Sequence, residues 1–222
     1  MIPPKHNGAF VACMEDVLDI YSWEYDETHP VVCMDEQPTQ LVKETRQPLP
    51  TRPGAPKQDD FEYERNGMAN SFLFTEPLAG WRKVSVRATK TKKDWASEVK
   101  SLLDNDYPDA ELVILVCDNL NTHTFGALYG TFDPAEAKRL ADRLDIRHTP
   151  KHGSWLNMAE IELSVMTRQC LSHRIPDIAS LRREVKAWAS RRNKIQTGIN
   201  WQFKTRKARI KLKSRYPQIQ TA

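Results

Sequence analysis

The chain changes hydrophobic period several times, and each change marks an element. Over residues 7–21, Phe10, Met14, Val17, Leu18 and Tyr21 recur at helical spacing, with Asn7 placed to cap the helix. The apolar run Val31-Val-Cys-Met34 predicts a strand over 31–36, and residues 41–45 read as its hairpin partner. Residues 61–65 and 70–75 flank Asn66-Gly67, a strong hairpin signal. Val84 and Val86 alternate with polar residues, so 83–88 reads as a strand. Helical spacing then returns: Thr91-Lys-Lys-Asp94 resembles a capping box, and Trp95, Val99, Leu102 and Leu103 share one face. Residues 112–117 are apolar throughout, which suits a central strand covered on both sides. Asp133, Pro134 and Glu136 start a helix that runs to about residue 144, and 146–149 is a short strand. Residues 155–173 and 177–194 are helical. In the latter Ile178, Leu181, Val185 and Trp188 point inward, and Arg182, Arg183, Lys186, Arg191 and Arg192 point outward. Pro48, Pro50, Pro53, Pro56 and Gly54 make 48–60 a loop, because prolines at that density sustain neither ladder nor helix.

This order predicts an α/β fold, a mixed β-sheet flanked by helices, whose ligands gather at the C-terminal ends of its parallel strands. Two buried strands each deliver an acid there: Asp35 after the first apolar run and Asp118 after the second. Like-charged carboxylates packed together cost energy unless a cation neutralises them. A third acid comes from the helix around Trp155-Leu-Asn-Met-Ala-Glu-Ile-Glu162. Glu160 shares a face with Asn157, Ser164, Thr167 and Arg168, whereas Glu162 points roughly 200° away. The pattern therefore favours Glu160. A lone Asp at a strand end is ordinarily a turn-former or cap. Three such acids outline a cage for a hard cation such as Mg²⁺, which takes carboxylates together with substrate phosphates.

Composition adds the partner. At 222 residues, with 40% hydrophobic content, the chain suits one large domain with appendages. It carries no apolar run of membrane-spanning length and no signal peptide, which leads us to expect a cytoplasmic protein. Cys13, Cys33, Cys117 and Cys170 are scattered and read as reduced thiols. The net charge of +4 hides an asymmetry: from Arg168 onward there are 15 Lys/Arg against 2 Asp/Glu, while the preceding residues hold 18 against 27. An acidic body with a basic tail reads as a catalytic core with a grip on a polyanion, against the plainer reading of a solvated helical face.

The remaining candidates lie near the acids. His148-Thr-Pro-Lys-His152 does not suit zinc, since Pro150 and Gly153 break any helix and no Cys pair completes a tetrahedral set. Lys151 and His152 read instead as donors to phosphate oxygens. Asn119, His123 and Asn157 are candidates for supporting the acids. Trp155 and Trp201 could stack on bases, although the core is the more ordinary place for both.

Val31-Val-Cys-Met-Asp-Glu36, Val116-Cys-Asp-Asn-Leu-Asn-Thr-His123 and His148-Thr-Pro-Lys-His-Gly-Ser-Trp-Leu-Asn-Met-Ala-Glu-Ile-Glu162 together resemble the catalytic segments of mariner-related bacterial insertion-sequence transposases. These form the branch numbered six-thirty of the DDE superfamily. Arg174-Ile-Pro-Asp177 and Asn200-Trp-Gln-Phe203 are similar to that branch as well. The resemblance implies a ribonuclease-H-like fold and DNA strand cleavage and transfer with two Mg²⁺ or Mn²⁺ ions. It matches Asp35, Asp118 and Glu160 to the three acids. It also implies double-stranded DNA as partner, transposon ends and target alike, a homodimer on that DNA, and a TA target. On this reading residues 1–29 are a linker helix, 30–175 the catalytic domain and 176–222 a basic helical extension. The helix-turn-helix modules that open such transposases are not seen, so the expectation is a truncated chain. Two rival readings are a nuclease of the same fold that cuts without joining, and a non-catalytic remnant that binds nucleic acid.

Overall fold

The computed structural model describes residues 7–46, 53–54 and 61–217. In chain order the elements are α1 (Gly8–Ile20), β1 (Val31–Glu44), β2 (Tyr63–Glu76), β3 (Trp81–Arg87), α2 (Lys92–Ser101) with a π-helical turn over Leu102–Asp106, and β4 (Val113–Cys117). There follow α3 (Phe125–Tyr129), α4 (Pro134–Asp142), β5 (Leu144–His148), a 3₁₀ turn over Ser154–Leu156, α5 (Met158–Cys170), α6 (Ile178–Lys194), α7 (Thr205–Lys211) and a last 3₁₀ turn over Lys213–Arg215. The expected caps form. Asn7 accepts from Phe10 N at 3.1 Å, Thr91 and Asp94 make a reciprocal capping box, and Asp133 caps α4 ahead of Pro134.

The five strands lie in the order β3-β2-β1-β4-β5, antiparallel through β3, β2 and β1 and parallel through β1, β4 and β5. Side chains alternate across the sheet and fill two cores. Val32, Met34, Phe72, Phe74, Val113 and Leu115 face α2, α3 and α4. Cys33, Leu73, Ile114 and Val116 face α1, α5 and α6. β4 is buried along its whole length, because helices cover both of its faces.

Two expected hairpins are absent. Residues 41–44 do not fold back; they continue β1. Residues 63–76 form one strand running straight through Asn66-Gly67. Gly67 has φ 86° but Asn66 stays at negative φ, so the reversing turn that needs both residues at positive φ does not form. Instead the register passes from Gln40↔Met68 to Val42↔Arg65, setting Asn66 and Gly67 against the single residue Leu41. This is a β-bulge, the other structure that an Asn-Gly pair serves. The Asn66 side chain is fixed on it, donating to the Pro176 carbonyl at 2.7 Å. Of the proline-rich loop expected at 48–60, all but residues 53–54 lie outside the described residues. Among the described residues, no helix is long and apolar enough to cross a membrane.

Candidate active site

Strand register brings the first two acids together. Parallel pairing sets Val31 against Ile114, Val32 against Leu115 and Cys33 against Val116. Two residues past the last of these pairs come Asp35, still within β1, and Asp118, just past the end of β4. β4 ends at Cys117 while β1 runs on with β2, so the strands part there, where an open α/β sheet ordinarily holds its ligand.

Glu160 arrives from α5, and a single buried side chain sets its place. Asn157 Oδ1 accepts from Ala159 N at 3.1 Å and starts the helix. Asn157 Nδ2 donates to the Met34 carbonyl at 2.8 Å, directly before Asp35. The first turn of α5 is thereby pinned to β1. Glu160 lies in that turn, where the helix dipole favours a negative charge.

The three carboxylates act on one another. Burial pushes the Asp35 carboxyl up to about 7. The Glu36 N–H, donating at 2.7 Å, opposes this, and the charges of Asp118, Glu160 and Glu36 raise it further. Asp118 and Glu160 are therefore electrostatic neighbours of Asp35. Among the described residues, however, no three Asp, Glu, His or Cys side chains close tightly enough around one point to hold an ion as they stand.

His123 is buried between two acids. Its Nε2 lies 3.1 Å from Glu36 Oε1 and its Nδ1 2.8 Å from Asp118 Oδ1. The Nδ1 also approaches the Asp118 carbonyl at 3.3 Å. The carboxylate contact is close but out of hydrogen-bonding line, so Asp118 Oδ1 remains a buried acceptor without a hydrogen bond. Trp95 stacks on the ring, with centroids 5.7 Å apart. Burial disfavours the imidazolium, but the flanking Asp118, Cys117 and Glu36 outweigh it and hold the ring's pKa up at about 12. Across the parallel ladder, His148 Nδ1 lies 3.1 Å from the same Asp118 carbonyl.

The other expected residues fall into different settings. Asn119, Lys151 and His152 are exposed, with His152 at φ 67°. Arg183, Lys186 and Arg191 lie exposed along α6. Arg182 is exposed too, but its guanidinium donates to the Val86 carbonyl at 3.0 and 3.2 Å. Arg192 departs from the outward expectation. It turns in over Trp188 and donates to Glu162 at 2.7 and 3.1 Å. Glu162 also pairs with Arg82 Nε at 3.2 Å, both side chains being 1% exposed. Two arginines from different elements converge on one buried acid, a need that helical periodicity alone does not reveal. Trp155 and Trp201 pack edge-on against Phe203 and Tyr21, half-buried beside the core.

The sequence reading gave no role to Glu36 or to the Trp95 stack. Alternation carried the signal for Glu36: it shares its parity with Val32 and Met34, and an acid on an apolar face requires a partner.

A family profile described as "DDE superfamily endonuclease" matches residues 30–182. The chain belongs to the DDE superfamily endonucleases. Solved structures agree on the fold. The crystal structure of the Mos1 mariner paired-end complex with Mn superposes with a TM-score of 0.56 at 14% identity, covering 89% of this chain and 60% of that one. The Mos1 strand transfer complex gives 0.57 at 14%, covering 85% and 55%. The Mos1 paired-end complex with Mg gives 0.56 at 15%, covering 98% and 66%. This DDE chain thus has the ribonuclease-H-like architecture of the Mos1 catalytic domain and spans between 55% and 66% of the length of these three Mos1 chains. No curated protein matches it in sequence.

Proposed function

We propose that this chain is the catalytic domain of a mariner-related insertion-sequence transposase, of the bacterial branch numbered six-thirty, which cuts and rejoins DNA strands with divalent metal. The observation that supports the reading is the Asp35 carboxyl, raised by burial and, further, by the charges of Asp118 and Glu160, close to where β1 and β4 part.

The donor set fits the metal. All three groups are hard carboxylate oxygens, the ligands that Mg²⁺ and Mn²⁺ prefer. The raised Asp35 and the Asp118 carboxylate, one oxygen of which is buried without a hydrogen bond, are both groups whose charge a cation would relieve. Asp35, Asp118 and Glu160 would together hold the two ions. When bound they would stabilise the leaving oxygen and activate a water or a 3′-hydroxyl as nucleophile.

The chain's other groups handle the DNA. Lys151 and His152 stand exposed on the loop after β5 and would donate to phosphate oxygens beside the acids. Arg183, Lys186 and Arg191 would hold the backbone without reading sequence. The likeness to the Mos1 paired-end and strand transfer complexes supports transposon ends as the substrate; on the family reading the ends and the target are double-stranded and two copies of the chain would act on them.

The test is nicking of end-containing duplex DNA in Mg²⁺ by wild type, Asp35→Asn, Asp118→Asn and Glu160→Gln. Each substitution is expected to reduce cleavage to background, and retained cleavage removes that residue from the site. A pre-cut 3′ end then separates a transposase, which joins it to target, from a nuclease that only hydrolyses.

A further inference from the structure

We propose that Glu36 and His123 are positioning residues that hold Asp118 in the orientation needed to bind a divalent cation. The proposal rests on the metal-dependent function above and assigns the groups that prepare its second acid.

The arrangement follows from strand alternation. Asp35 and Glu36 are consecutive on β1, so their side chains leave opposite faces of the sheet. Asp35 faces the α5 side. Glu36 points to the α2 side, where its carboxylate is 3% exposed and its Oε1 lies 3.1 Å from His123 Nε2. The other ring nitrogen lies 2.8 Å from Asp118 Oδ1. Trp95, itself buried, stacks on the ring and limits its tilt. A histidine that merely fills the core has no need of a carboxylate on each nitrogen. Here the ring is wedged between one acid that reaches no solvent of consequence and one that does. Asp118 Oδ1 is buried, so the 28% of this side chain that remains exposed lies away from His123. One oxygen is backed by the ring at 2.8 Å, a charge contact without a hydrogen bond, and the other edge is left for a ligand. Groups that orient a metal ligand in this way typically matter roughly ten- to a hundredfold in affinity.

Isothermal titration of the full chain with Mn²⁺, at one fixed pH, tests the proposal. His123→Ala and Glu36→Ala are each expected to weaken Mn²⁺ binding by roughly ten- to a hundredfold. Glu36→Gln, which keeps an oxygen acceptor for the ring, is expected to recover most of the loss. A folded His123→Ala chain with wild-type affinity overturns the proposal. If His123→Ala does not fold, the Glu36 pair decides: equal affinities for Glu36→Ala and Glu36→Gln overturn it. A wild-type chain that binds no Mn²⁺ overturns the metal-site reading, and the positioning role with it. Wild-type binding that His123→Ala leaves unchanged overturns the positioning role alone.

Discussion

The side-chain amide of Asn157 donates to the main-chain carbonyl of Met34 at 2.8 Å, 123 residues away in sequence. That contact joins the helix carrying Glu160 to the strand carrying Asp35. Asn157→Ala removes both the tie and the helix cap, and leaves the Met34 carbonyl buried without its donor. The expected cost is about 2–3 kcal/mol by urea denaturation, together with a marked loss of nicking. Asn157→Asp keeps a capping oxygen but cannot donate to Met34, so it is expected to rescue stability in part and activity little. Full activity in Asn157→Ala would show that Glu160 is placed by other contacts.

Asp35 makes stability fall with rising pH. Its folded pKa is about 7, against 3.8 for a free side chain. Below about pH 4 it is protonated in both states and contributes no slope. Between about pH 4 and 7 the folded chain keeps a proton that the unfolded chain releases. Stability therefore drops across that window by up to roughly 1.4 kcal/mol per pH unit, then levels off. Asp35→Asn is expected to flatten this slope and to raise the metal-free melting temperature at pH 8. Mg²⁺ at pH 8 should stabilise wild type more than Asp35→Asn. A wild-type chain whose stability is flat from pH 4 to 7 contradicts the burial of this carboxylate.

Glu162 and Glu160 differ by two positions and should differ in kind. Glu162→Gln strips the counter-charge from Arg82 and Arg192 and is expected to cost about 3–5 kcal/mol. The acid beyond the metal site is thus a poor neutral control for the chemistry. Glu160→Gln should leave the urea midpoint nearly unchanged while removing cleavage. Equal stabilities for the two variants would overturn this division.

The exposed face of α6 gives a salt signature. Replacing Arg183, Lys186 and Arg191 together with Ala is expected to weaken duplex DNA binding at every sequence. The slope of log affinity against log salt should shrink by about 3. An unchanged slope would place the DNA elsewhere.

The helices and the buried strand were legible because each carries its own local signal. Thr91 and Asp94 cap α2 by a pattern visible in four residues, and the run ending at Cys117 is too apolar for any place but the sheet centre. The electrostatic link between Asp35 and Asp118 was foreshadowed by two acids at the ends of two apolar runs, although β1 runs on past Asp35 to Glu44. Asn66-Gly67 was misread because one dipeptide serves both turns and bulges, and only the partner strand decides between them. Arg192 was misplaced because its periodicity marks a polar face, while its partner lies on another helix. Glu36 was passed over because its neighbour supplied the more evident chemistry, although its parity already set it on the apolar side.

The bulge opposite Leu41 has one further consequence. Between Cys33 and Gln40 the ladder with β2 is regular, so inserting a single residue between Cys33 and Asp35 would exchange the sides on which Asp35 and Glu36 emerge. Past Gln40 the extra residue absorbs the phase, and the distal ribbon keeps its own count. Length changes in the connection beyond it can accumulate without altering the faces on which Asp35 and Glu36 emerge.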